Sequence, residues 1–332
     1  MTDDMSLIAK IDTSTPNVAR VWDYQLGGKD NFEADRAAAD AINEVCRRVG
    51  APDGRAVARE SRAFIGRAVR HLALYEGIDQ FVDLGSGLPT GGNVHEAAQQ
   101  ANRLARTVYV DFDPLVLVHG RALLADERKT IVIEGDVREP EAIFANPELM
   151  GLIDLRRPVA VLLVAMLHLI PDDETAVGIV ARIRDAIAPG SFLALTHTTS
   201  QHRPDVAAAL AAEFTRLNVT TPLVPRDAQQ IQRFFDGFEV VEPGLVSPPQ
   251  WRPDEPAAPD AEPDSEWMYA GVGRLAVPGL QAAVSAASAS KDAGNNGPQT
   301  PRGGAQRGPT SRVETRDQRP GEVRARTRAG RS

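Results

Sequence analysis

The chain has 332 residues, 42% of them hydrophobic and 25% charged, which is ordinary globular composition with enough apolar material for a core. Of the formal net charge of -8, the stretch from Gly279 to Ser332 carries +6, from ten Lys/Arg and four Asp/Glu, leaving -14 on the rest. An acidic body makes nucleic acid an unlikely partner for the folded part.

Cys46 is the single cysteine, so no intrachain disulfide forms, which fits a cytoplasmic protein. The N-terminus has no basic region followed by an apolar one, so no secretory signal is expected. The longest apolar run, Pro158 to Ile170, is too short to span a bilayer and reads as a buried strand, so no membrane association is expected. Abundant alanine and arginine suggest a GC-rich bacterial genome.

Residues 1–15 are polar and expected to be flexible. Asp30 to Val49 and Arg55 to Tyr75 read as helices, separated by a Pro52-Asp53-Gly54 turn. Strands and helices then alternate. Strands are expected at Gln80–Leu84, Thr107–Asp111, Thr130–Glu134, Pro158–Leu167 and Ser191–Thr196. Helices are expected at Asn93–Ala105, Pro114–Leu124, from Pro140, and at Glu174–Ala188. Two more helices, Asp205–Leu217 and Pro225–Phe235, precede strand candidates at Phe238–Val241 and Trp267–Leu275, with Ser247–Asp264 as a surface loop between them.

This pattern implies an α/β, Rossmann-like domain with a mostly parallel sheet and helices on both faces. It runs over residues 16–277, with 16–76 as an N-terminal helical lid. Residues 278–332 lack large apolar side chains and read as a disordered basic tail.

The central motif is Phe81-Val-Asp83-Leu-Gly85-Ser-Gly87-Leu-Pro-Thr90, a strand running into a glycine turn. A dinucleotide fingerprint would need a third glycine where Thr90 stands, which argues against an NAD(P)-dependent oxidoreductase. A phosphate-free cofactor such as S-adenosyl-L-methionine needs close backbone approach at Gly85 and Gly87 and a partner for its ammonium, for which Asp83 is placed. Asp111, ending the second strand, is a candidate for both ribose hydroxyls, with Asp113 as a competitor that also suits a helix N-cap. Asp136 and the Val137 amide follow the third strand, where they could read adenine.

Asp83-Leu-Gly-Ser-Gly87, Tyr109-Val-Asp111, Gly135-Asp-Val137 and Ala188-Pro-Gly190 resemble successive motifs of class I methyltransferases. Together with Ala19–Tyr24, Leu26–Asn31, Asn93–Glu96, Phe235–Gly237 and Trp251–Pro253, they resemble the actinobacterial S-adenosyl methyltransferase family once known as DUF574. That resemblance spans about residues 16–275 and implies S-adenosyl-L-methionine as the cofactor and methyl transfer as the activity. One departure is Ser61-Arg62, where Asn-Arg is expected.

Ahead of the first strand, Tyr24 and the Gly27-Gly28 turn are expected to fold over the cofactor, with Lys29 or Asn31 facing it. A plain helix–loop–helix is the competing reading. His168 and His197, at or after the ends of the fourth and fifth strands, are candidate catalytic bases, against the reading of buried, hydrogen-bonded histidines. His95 is expected to cap a helix or line the pocket. No Cys/His spacing suggests a metal. The acceptor is expected to be a small molecule. A noncatalytic S-adenosylmethionine-binding regulator is the second reading.

Overall fold

The computed structural model describes residues 2–124, 128–254 and 267–277. The described residues belong to one compact unit, and residues 284–332 lie outside them. The expected tail, 278–332, therefore falls outside the description.

The chain opens with four helices, α1 (Thr2–Ile8), α2 (Val18–Gln25), α3 (Glu33–Val49) and α4 (Gly54–Tyr75). The first corrects the expectation of a loose N-terminus, because Leu7 is buried in the core. Then follow β1 (Gln80–Leu84), α5 (Val94–Ala101), β2 (Arg106–Asp111), α6 (Pro114–Leu123), β3 (Thr130–Glu134), α7 (Pro140–Phe144) and α8 (Pro147–Leu152). The second half holds β4 (Ala160–Val164), α9 (Asp173–Ala186), β5 (Phe192–Thr198), α10 (Pro204–Arg216), α11 (Ala228–Gln232), β6 (Phe238–Val240) and β7 (Met268–Leu275).

The seven strands form one sheet in the order β3-β2-β1-β4-β5-β7-β6, with β7 antiparallel to both its neighbours and the other pairs parallel. The chain winds outward from β1 to β3, then restarts on the other side at β4. The order therefore reverses between β1 and β4, where ligands of open α/β sheets bind at the carboxyl ends.

Alternation along the strands sorts side chains between two cores. Val82, Leu84, Val161 and Leu163 face a layer built by α7, α8 and α9. Phe81, Tyr109, Leu162 and Phe192 face α4, α5 and the fully buried Trp251. Trp251 makes part of the expected Ser247–Asp264 surface loop a core anchor, while residues 255–266 lie outside the described residues. A third cluster joins Val21 of α2, Ala38, Ala39, Ile42 and Cys46 of α3, and Leu210 and Phe214 of α10. No helix among the described residues is long and apolar enough to cross a membrane.

Candidate functional site

After β1 the chain turns sharply at Gly85 (φ 73°) and Gly87 (φ 66°), a left-handed backbone that side chains resist. A Cβ on Gly85 would also lie 2.2 Å from Met166 Sδ. The turn is stitched to β2: Gly85 N–H donates to the Val110 carbonyl (2.8 Å), and Gly87 N–H donates to Asp111 Oδ2 (2.9 Å). Asp111 Oδ1 accepts from the Asp113 amide (3.0 Å). Asp111 is thus oriented by two backbone donors. Burial pushes its pKa up to about 6, against the pull of those same donors.

Asp83 shares the face of Phe81, so it projects toward α4, which supplies Arg62. Burial raises its pKa to about 7, the nearby Arg62 guanidinium opposes the shift, and the Asp111 charge adds to it. Among the described residues no group donates a hydrogen bond to the Asp83 carboxylate. Arg62 is itself largely enclosed, its pKa lowered by burial, and it donates to Thr90 Oγ1 (2.9 Å).

The turn, these acids and the loop after β4 line one cavity of about 210 Å³. Its roof is the helical lid, which is pinned by buried polar groups. Asn17 caps α2 through Oδ1 and donates from Nδ2 to Asp113 Oδ2 (2.7 Å), while Asp113 Oδ1 caps α6. Asp113 therefore acts as the helix cap and joins the lid to the sheet. Asp35 pairs with Arg20 (2.9 Å) and also accepts from the Asn17 and Phe32 amides. Asp23 takes the Asp30 amide and Asn31 Nδ2, closing the Gly28 loop on itself. That contact sets Gly28, where a Cβ would lie 1.9 Å from Asp23 Oδ1.

Asp83, Gly85, Gly87, Asp111 and His168 line the cavity together, whereas Tyr24, Gly28, Asp136, Val137 and His197 are not among its lining residues. Trp22 and Asp23 take the inward positions that had been expected of Tyr24 and Gly28. Tyr24 instead contacts Asp40 and lies under Arg55, and Lys29 is exposed. Asn31 is spent on Asp23 and the Gly28 carbonyl. Asp136 is closed on Arg138, which holds its carboxyl below the usual range. His95 caps toward Tyr109, whose hydroxyl accepts its amide (2.9 Å).

The two histidines differ from expectation for a reason of strand geometry. β4 stops at Val164, because Ala165 takes a left-handed backbone (φ 55°), and His168 sits in a short 3₁₀ turn, Leu167–Leu169. Its Nδ1 accepts from the Thr198 amide (3.3 Å), and burial with the nearby Arg226 charge lowers its pKa to about 3. β5 runs two residues further than expected, so His197 lies inside it and follows the parity of Leu193 and Leu195 onto the face opposite the cavity. There it packs on Phe234, donates from Nδ1 to the Thr198 carbonyl (2.7 Å) and accepts from Arg226 (3.1 Å) at Nε2. With both nitrogens committed and no exposure, His197 has no lone pair to serve as a base.

Sequence reasoning missed Arg226, which is fully buried and ties the loop after β4 together. It pairs with Asp173 (2.7 Å) and donates to the Leu167 and Ile170 carbonyls. It also passed over the inward position of Arg62, naming it only beside the Ser61 departure, and Phe112, 46% exposed in the cavity wall.

The family model described as S-adenosyl methyltransferase matches residues 4–276. The chain belongs to that family. Its cofactor is S-adenosyl-L-methionine, and its seven-stranded sheet is the class I methyltransferase fold. A crystal structure of a candidate methyltransferase from Thermobifida fusca YX is 47% identical, over 80% of this chain and 97% of that one, with a TM-score of 0.73. A DUF574 family protein from Streptomyces avermitilis MA-4680 is 38% identical, over 80% and 99% of the two chains, also with a TM-score of 0.73. No curated protein sequence matches the chain.

The residues present fit this cofactor. A buried carboxylate to which no described residue donates suits an ammonium group, and an enclosed guanidinium beside it suits a carboxylate. The amino-acid end of S-adenosyl-L-methionine carries both.

Proposed function

We propose that this protein transfers the methyl group of S-adenosyl-L-methionine to a small-molecule acceptor. The observation that carries the reading is one cavity in which Asp83, given no hydrogen bond by the described residues, and the oriented Asp111 open onto His168. When bound, the cofactor supplies an electrophilic methyl on a sulfonium. Asp83 would hold its ammonium, Arg62 its carboxylate, and Asp111 the ribose hydroxyls. The Gly85–Gly87 turn lets the backbone approach, and Phe112 offers a face to the base. We assign no adenine contact to Asp136 or Val137, which lie outside the cavity wall.

The protein's part is then alignment and water exclusion. His168 is the histidine in the cavity wall, and because a backbone amide occupies Nδ1, the neutral ring carries its proton on Nε2. It acts as a hydrogen-bond donor rather than as a base. A cytoplasmic location accords with the lone, buried Cys46 thiol. Origin in an actinobacterium accords with the two relatives.

The test is release of S-adenosylhomocysteine from S-adenosyl-L-methionine across an acceptor panel. Turnover with at least one acceptor is expected, reduced by His168→Phe and spared by His197→Gln provided the fold survives. Tight cofactor binding with no turnover across a broad panel would favour a regulatory binding protein instead.

A further inference from the structure

The cavity is larger in chemistry than its cofactor end requires. Beyond His168 its wall is furnished by α2, α3, α10 and the loop after α10. Val21, Ile42, Cys46, Leu210, Phe214 and Leu223 line that part, and all are apolar or nearly so. The charged side chains of the whole wall are Asp83, Asp111, Asp113, Arg62 and Asp23. The first four belong to the sheet end, and Asp23 is turned onto the Asp30–Asn31 loop. The lid end thus offers no uncommitted charge to a ligand.

Two polar groups stand out in the wall, beside Gln25, Ser61, Thr198 and Thr220. Thr221 Oγ1 is buried and has no hydrogen-bond partner among the described residues, an arrangement that is costly unless a ligand satisfies it. The other is His168, whose one remaining polar group is Nε2–H. Trp22 and Phe214 add aromatic faces. An apolar chamber with few placed polar groups is the form small-molecule sites take. Charge repels the alternatives: an ionic acceptor would surrender its hydration with no counter-charge to replace it.

We propose that the chamber between α2, α3 and α10 binds an uncharged aromatic alcohol, its hydroxyl oxygen accepting from His168 Nε2–H and its ring lying among Val21, Ile42, Leu210 and Phe214. This rests on the methyltransferase reading for its function but not for its occupancy. Cys46, the only cysteine, lines the chamber and serves as a built-in reporter.

The test uses the full chain, with 1-naphthol and 1-naphthyl phosphate as probes and calorimetry as readout. Binding of 1-naphthol is expected, with the phosphate ester about tenfold or more weaker. Leu210→Trp, which fills the chamber, should weaken 1-naphthol by about tenfold or more while leaving the S-adenosyl-L-methionine isotherm unchanged. Without any mutation, 1-naphthol should slow alkylation of Cys46 by N-ethylmaleimide, read by intact mass. Equal binding of the phosphate ester would overturn the proposal, as would no binding of 1-naphthol, or unchanged Cys46 alkylation at saturating 1-naphthol. Wild-type protein that binds 1-naphthol but not S-adenosyl-L-methionine would instead sink the methyltransferase reading and leave the chamber assignment standing.

Discussion

Asp83 and Asp111 are carboxylates held out of water before any cofactor arrives, and both have pKa values raised by burial, to about 7 and about 6. The sign follows from linkage. Between about pH 4 and 7 the folded, ligand-free protein holds protons that the unfolded chain has lost, so these groups lower stability as pH rises through that window. A cationic ligand favours the ionised form of Asp83. Affinity for S-adenosyl-L-methionine should therefore rise from pH 5.5 to 8, by up to about tenfold per unit below pH 7, with protons released on binding. Asp83→Asn should bind weakly and flatten that dependence. Calorimetry in buffers of different ionisation enthalpy checks both, and a pH-independent wild-type affinity would remove Asp83 from the ammonium role. Asp83 and Asp111 were legible in the sequence because one lies two residues before a glycine turn and the other ends the second strand. Arg62 and Arg226 were not, because each meets the site through a contact distant along the chain. The position of His197 was half legible: strand alternation from Leu193 carries it away from the cavity, once β5 is known to extend to Thr198.

At the scale of elements, the lid stands on a few buried polar contacts. Asp35 alone joins the α2 cap region, Arg20 and the start of α3. Asp35→Ala would leave the Arg20 guanidinium and two amides without their partner, at a cost of about 3–5 kcal/mol. We expect a large fall in melting temperature and weaker cofactor binding, both measurable by thermal shift with and without S-adenosyl-L-methionine. A variant with unchanged melting temperature would show that the lid is held otherwise. The strands themselves were readable, since apolar runs bounded by turns mark a sheet covered on both faces. Their ends were less so. The Ala165 backbone that halts β4 has no local signature, and the helix expected from Asp30 begins at Glu33 because Asp30 and Asn31 serve Asp23.

For the whole molecule, alternation of elements predicted the parallel sheet, but not the antiparallel β7 inserted between β5 and β6, a pairing settled only by long-range contacts. The family match ends at residue 276 and β7 at Leu275. Deleting residues 278–332 should therefore leave melting temperature and cofactor affinity unchanged. A fall in either would give the basic tail a part in the fold or the site.

The measurement that bears most directly on the account is calorimetric binding of S-adenosyl-L-methionine to wild type and to Asp111→Ala, with NAD as control. The account predicts binding in wild type, a loss of about 1.5–3 kcal/mol, tenfold or more, in the variant, and no binding of NAD. Wild type that ignores S-adenosyl-L-methionine, or binds NAD in its place, would contradict it.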